Sequence, residues 1–423
     1  MKKGLFLSLL IIAGFSVNAQ DLKKIKESLT KNQLTEAKTD IEKFLAVPKN
    51  QKNAEAYYVK GKVYSAIAAN PAERAANPDA RTVALDAFKK SIEIDKNQAQ
   101  LYMTVDQYQP IFSLYSSGFD EAAGLYNEEK YDQALNTFKS TGVVGDYIFS
   151  QGWGLYKLDT TLTYYSALSA MNAKKDDEAL TYFAKLADAK VGATPEQVTS
   201  YRYLAKHYYD KKDEANMMKY IGLGRELYPN DDYLPLLELD YIRGKGDAAA
   251  LNKKYEEILA ASPDNYDVIL DYASTLFNET HVTDAAKRPA DYNEKSKKIE
   301  SLYTKAIELK PDATEARLSL GKHYYNQMLY MEEEASKIKG AKPEDVKKKA
   351  DLNAEIATVA DKAIPQLEKV FNAYDSQGKL KTSERSNFKS ACSLLTYSYE
   401  KKKDKTKADF YQKKYDEADK AHG

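Results

Sequence analysis

Three prolines set the period of this chain. Pro229 closes "ELYPND", Pro263 closes "AASPDN" and Pro311 closes "ELKPDA", and each ends a stretch of helical apolar periodicity that restarts a few residues later. Pro229 and Pro263 lie 34 residues apart; Pro263 and Pro311 lie 48 apart, one such period plus 14. The polar stretch "NETHVTDAAKRPADYNEK", with Pro289 inside it, accommodates the excess. Proline removes a backbone donor and clashes with the preceding turn, so a regular series of prolines punctuates a regular series of helices. A fixed period of roughly 20 to 50 residues predicts stacked supersecondary units that share one elongated core. Such stacking relieves a 423-residue chain of the separate cores that a length above roughly 250 to 300 residues otherwise demands.

The period also explains an echo. "LAKHYYDK", residues 204–211, returns as "LGKHYYNQ", residues 320–327, an interval of 116 that equals three periods and the 14-residue insertion. Two copies of Lys-His-Tyr-Tyr suggest two halves of a metal or acid–base site. His207 and His323 fall three repeats apart, however, and a shared ion needs both ligands within about 2 Å. Packing and surface roles are expected for the pair instead.

A period of 34 with a helix–turn–helix pattern resembles the tetratricopeptide repeat, in which Leu, Gly and Tyr recur on the first helix and Ala, an aromatic and Pro on the second. "EARLSLGKHYYNQ" presents Leu320, Gly321 and Tyr324 in those slots, and "YRYLAKHYY" presents Tyr201, Leu204, Ala205 and Tyr208. "AEAYYVKGKVY" supplies Tyr57, Gly61 and Tyr64, with Lys60 departing from Leu. Second helices show Ala84 with Phe88, Ala134 with Phe138, and Ala179 with Phe183. The whole mature chain is similar to secreted tetratricopeptide proteins of Bacteroidota. That resemblance implies an all-α, right-handed superhelical solenoid of about nine repeats. The expected organisation is 1–19 as a signal peptide, 20–156 as N-terminal repeats with an irregular third, 157–376 as central repeats, and 377–423 as C-terminal capping helices. Insertions are expected near 280–292 and 331–356, the second lengthening two helices with Pro343 at the tip of their hairpin. The stretch 143–156, "VVGDYIFSQGWGLY", shows little helical period and reads as an aromatic inter-repeat segment.

The opening "MKKGLFLSLLIIAGFSVNA" has two lysines, an apolar run from Leu5 to Phe15, and small residues Val17 and Ala19 before Gln20. It reads as a secretory signal cut after Ala19, shorter than the ~20 apolar residues of a membrane span. The mature chain is therefore expected to be periplasmic or secreted, with no integral span.

Lysine plus arginine equals aspartate plus glutamate, 63 each, so no global field gathers nucleic acid. The single cysteine, Cys392, permits no intramolecular disulfide and sits in "SACSLLTY" as a small helix residue. No phosphate loop, HExxH, CxxC or GxSxG occurs, and four histidines (His207, His281, His323, His422) are too scattered for a zinc site made by neighbours in sequence. Catalytic residues, metal ligands and cofactors are thus not expected. Asp159-Thr160-Thr161 reads either as a short O-glycosylation signal or as a helix N-cap.

A binding groove remains. Tyrosine is abundant, 34 against 13 phenylalanines, and suits faces that are half packed and half wet. By the tetratricopeptide resemblance, first helices line a concave face through the residues after the aromatic slot, after Gly, and at the second Tyr. Carried over slot by slot, these are Tyr58 and Lys62, Tyr164, Arg202 with Lys206 and Tyr209, Arg243, Phe277, and Lys322 with Tyr325. The Gly-Asn pair by which chaperone-tail receptors of this type hold a terminal carboxylate is missing, since Lys follows both Gly61 and Gly321. The leading expectation is a non-enzymatic scaffold of the cell envelope that binds a protein or peptide bearing carboxylates. The rival is a glycan- or peptidoglycan-binding protein, or a hydrolase, that uses the aromatic groove.

Overall fold

The computed structural model describes residues 21–192, 194–284, 287–340 and 342–423, so the signal-peptide assignment lies outside the described residues. Among these residues every regular element is a helix and none is a strand. Two compact units divide the chain, Met1–Glu238 and Leu239–Gly423.

The first unit begins with α1 (21–30) and α2 (Leu34–Ala46). The pair α3 (Ala54–Ala69) and α5 (Ala80–Ile94) follows, with the one-turn α4 (Pro71–Ala75) between them. After α6 (Lys96–Val105) come α7 (Gln109–Asn127) with α8 (Tyr131–Ser150), α9 (Thr160–Asn172) with α10 (Asp176–Asp188), and α11 (Val198–Asp210) with α12 (Glu214–Leu227). The unit boundary falls inside α13 (Tyr233–Lys245). The second unit continues through α14 (Ala248–Ala261), α15 (Tyr266–Thr280), α16 (Tyr292–Leu309), α17 (Thr314–Lys337), α18 (Pro343–Asp375), α19 (Thr382–Lys401) and α20 (Lys405–Ala421). Set in order, these helices make nine helix–turn–helix units among the described residues. Within each unit neighbouring pairs pack together: α2 on α3, α8 on α9 and α10 on α11 in the first, and α14 on α15, α16 on α17 and α18 on α19 in the second. A hairpin of two amphipathic helices leaves one apolar face bare, and only its neighbour covers it.

Five of the short turns share one geometry. Asn32, Glu129, Lys174, Lys212 and Lys403 adopt φ of +57° to +60°. The residue after each donates its N–H to the carbonyl five positions earlier, as in Lys175 to Ala170 and Asp213 to Tyr208, both at 2.9 Å. This is the Schellman closure, which usually places glycine at the left-handed position because a Cβ there crowds the carbonyl. Lys174→Gly is therefore expected to raise stability by about 0.5–1 kcal/mol, read as a higher urea midpoint.

Helix contact explains the small-residue slots. A Cβ on Gly61 of α3 would lie 2.5 Å from Cε1 of Phe88 on α5, and one on Gly321 of α17 would lie 2.3 Å from Cδ2 of Leu367 on α18. Glycine thus lets the two helices of a hairpin close until the bulky side chain rests on backbone.

Structure corrects the expectation for residues 143–156. Helix α8 continues to Ser150, because Val144 and Ile148, one turn apart, are both buried on its core side. Gly142 and Gly145 are only half buried and do not interrupt the helix. Trp153 packs beyond the helix end with its ring centroid 5.1 Å from Tyr108 and 5.8 Å from Tyr147. The charged stretch 331–356 is helical to Lys337 and again from Pro343, which brings α17 to 24 residues and α18 to 33. No described helix is long and apolar enough to cross a membrane.

Candidate partner-binding surface

The ten residues assigned to a groove by sequence meet different fates. Tyr58 is 4 % exposed; its ring stacks on Tyr102 and its hydroxyl donates to Asp106 at 2.7 Å. Helix α6, which the repeat pattern does not contain, covers that position, so Tyr58 offers no surface to a partner. Lys62 pairs with the same Asp106 at 2.7 Å. Tyr164 donates to the Glu196 carbonyl at 2.7 Å. Arg202 holds Asp231 through Nε at 2.8 Å and through Nη2. Lys206 pairs with Asp210 one turn on and lies over the half-buried Tyr209 ring. Arg243 bonds Asp271 and the Tyr255 hydroxyl. Four of the five assigned cations are thus neutralised within the protein.

Phe277, Lys322 and Tyr325 behave otherwise. All three line one cavity of about 660 Å³ in the second unit. Lys322 is exposed and has no ion-pair partner among the described residues. Across from it, α19 contributes Arg385 and Lys389, and α20 contributes Tyr415 and Asp419. Asp419 lies 2.7 Å from Lys389 and 3.4 Å from Arg385, and the Lys389 ammonium holds its carboxyl below the ordinary range. Three cations therefore face one carboxylate, beside the rings of Phe277, Tyr325 and Tyr415. The Tyr325 ring meets Tyr397 edge-on at 4.7 Å, and Lys389 lies 4.9 Å over the Tyr415 ring, so both aromatics are held in place.

Arg385 and Lys389 escaped the sequence reading because 377–423 looked like a polar cap. The signal is present as a helical row, Thr382, Arg385, Ser386, Lys389, Ser390 and Ser393, along "TSERSNFKSACS". The basic run at 401–407 turns partly inward: Lys401 pairs with Glu332, Lys402 with Asp361 at 2.7 Å, and Lys407 lies 4.7 Å over the Tyr399 ring.

Most of the surplus tyrosine fastens helices. Hydroxyls of Tyr64, Tyr324, Tyr397 and Tyr399 donate to Glu42, Glu300, Glu332 and Glu368 at 2.8, 3.1, 2.7 and 2.6 Å. Burial first, and then the carboxylate, raises the pKa of each phenol, so it remains a donor at every physiological pH. Asp159 caps α9 by accepting from Leu162 N at 2.8 Å and also accepts from the Tyr115 hydroxyl, which is the capping role of the Asp-Thr-Thr motif. Cys392 is fully buried, and burial pushes its thiol up to about 12.

The echoed histidines diverge. His207 is half exposed and meets Tyr208 edge-on at 5.2 Å. His323 is 0 % exposed, and its Nδ1 lies 2.8 Å from Nε2 of His281. Sequence spacing did not pair these two, because His281 lies within the stretch that carries the 14-residue insertion and outside the repeat slots. Among the described residues no group of three or more His, Cys, Asp or Glu is arranged to hold a metal ion.

No family model matches the sequence, and no curated protein does. Among solved structures, the chain is similar to the C-terminal part of a TPR repeat-containing protein from Cytophaga hutchinsonii, at 16% identity and TM-score 0.42, over 70% of this chain and 93% of that one. It is also similar to the P58(IPK) TPR domain, at 15% identity and TM-score 0.22, over 90% of this chain and 99% of that one. A third similar structure is the human IFIT1 dimer with PPP-AAAA, at 14% identity and TM-score 0.24, over 87% and 94% of the two chains. With its successive hairpins, its glycines pressed on bulky side chains and its closing prolines, the chain is built of helical repeats that resemble the tetratricopeptide repeat.

Proposed function

We propose that this protein is a non-enzymatic interaction scaffold of the cell envelope, and that its second unit holds an acidic segment of a protein partner. The observation that carries the reading is the convergence of Lys322, Arg385 and Lys389 on one aromatic-lined cavity with only Asp419 opposite. Excess positive charge beside fixed rings suits an extended peptide in which carboxylates alternate with apolar side chains. The envelope location rests on the apolar N-terminal segment read as a signal. Tyr58, Tyr164, Arg202, Lys206, Tyr209 and Arg243 are committed to internal contacts and are assigned no part in the cavity.

Fluorescence anisotropy with a labelled Glu-rich peptide tests the proposal. Lys322→Glu is expected to weaken binding roughly tenfold and to flatten its salt dependence, because Lys322 sits on the rim without an internal partner. A peptide that binds the variant equally well rules the cavity out. The rival glycan reading is favoured instead if peptidoglycan fragments raise the melting temperature and the peptide does not.

A further inference from the structure

The first unit contains a separate cavity of about 550 Å³, bordered by the end of α3, the short α4, the start of α5 and one face of α8. Its charged lining consists of Arg74, Arg81 and Glu121. Glu121 serves both guanidiniums, with Oε1 3.0 Å from Arg74 Nε and Oε2 2.7 Å from Arg81 Nη2. Two cations on one carboxylate leave one positive charge unbalanced.

That charge is deeply placed. Arg81 is only 8 % exposed, yet its Nη1 donates only to Ser140 Oγ at 3.4 Å and its Nε has no hydrogen-bond partner among the described residues. A buried guanidinium is costly unless it is paired and its N–H groups are satisfied. Backbone has nonetheless been shaped to admit it: a Cβ on Gly118 would lie 2.7 Å from Arg81 Nε, so glycine on α7 makes room for the group. Arg81 is also the second residue of the 15-residue α5, whose N-cap, Asp79, makes no side-chain capping bond. The positive end of that helix adds to the same side of the cavity. On the facing wall, the side-chain amides of Gln133 and Asn136 line the cavity and have no partner among the described residues.

We propose that this cavity binds a singly charged oxyanion group, a carboxylate or a phosphodiester, carried on a small molecule. One negative charge balances the excess on the arginine pair. Guanidinium forks match both oxyanions, amide and hydroxyl donors complete the cradle, and the volume lies in the range of small-ligand sites, roughly 300 to 1,000 Å³. Nothing in this site depends on the acidic-peptide surface of the second unit.

Thermal shift and calorimetry on the full chain test it with two probes, N-acetylglycine for the carboxylate and dimethyl phosphate for the phosphodiester, against sodium chloride at equal ionic strength. The expected result is a saturable rise in melting temperature with at least one probe, and the stronger probe identifies the source. Asn136→Asp and Gln133→Glu, exposed positions that place a carboxylate at the cavity, are expected to lower probe affinity at least tenfold while Lys322→Glu leaves it unchanged. If neither probe exceeds chloride, or if both acidic variants bind as the parent does, the Arg74–Glu121–Arg81 cluster is a structural ion triad and the proposal is overturned.

Discussion

Gly61→Leu is expected to cost about 3 kcal/mol or more and to lower the urea midpoint of the first unit. Even the first added carbon would lie 2.5, 2.6 and 2.9 Å from Cε1, Cδ1 and Cζ of Phe88. Real carbon atoms do not approach so closely, so α3 and α5 must separate or the ring must withdraw. Phe88 has nowhere to go. It is 0 % exposed, and its ring lies 5.8 Å from that of Tyr58, which is itself held by Asp106. Separating α3 from α5 strips contacts along the whole hairpin, and the loss exceeds that of a single crowded side chain. The mechanism is checked by adding Phe88→Ala to Gly61→Leu. A cavity opposite the new side chain should recover part of the loss, so the double variant should be more stable than the sum of the two singles predicts. Strict additivity would show that Gly61 and Phe88 do not meet across the helix contact.

The second large effect is with pH. Desolvation, then the neighbouring His323 and then Arg288, push the His281 imidazole down to about 3. Desolvation likewise pushes His323 down to about 4, opposed in part by the Ser296 carbonyl and aided by Lys362. In the unfolded chain both titrate near 6.5. Between that value and about 4, the unfolded state takes up protons that the folded state refuses, so stability falls as pH falls. The contribution is complete above pH ~6.5 and shrinks through the window below it. By pH 5 the loss is about 2 kcal/mol from one imidazole of the pair. His281→Gln with His323→Gln keeps amide donors and acceptors at both positions and removes the titration. The double variant should therefore show a flatter dependence of urea midpoint on pH between 7.5 and 5 than the parent. Parallel profiles would show that the buried pair does not govern acid stability.

These two effects differ in how much of each was visible beforehand. Gly61 and Phe88 were both marked as repeat slots, and their contact follows from the hairpin. Only the value of φ at Lys174 or Lys212, and the identity of the atoms against each glycine, had to come from coordinates. The His281–His323 pair was not legible, because His281 lies within an insertion whose path the period does not specify. The cavity of the second unit was half legible. Phe277, Lys322 and Tyr325 came from the repeat slots, whereas Arg385 and Lys389 belong to a helix whose polar face resembled a solvated end. Tyr58, Lys62, Arg202 and Arg243 carried the right chemistry in the right slots. What the pattern could not reveal is that Asp106, Asp231 and Asp271 reach back to occupy them.

From sequence alone came the helical class, the period, the number of hairpins and the places where backbone must approach backbone. All of these are local or nearest-neighbour properties, set by proline stops, apolar spacing and side-chain size within about one repeat. Tertiary structure alone decided which charges remain free. Long side chains such as Lys and Arg reach carboxylates many residues away, so whether a cation is spent inside or offered to a partner depends on contacts between helices that no spacing rule encodes.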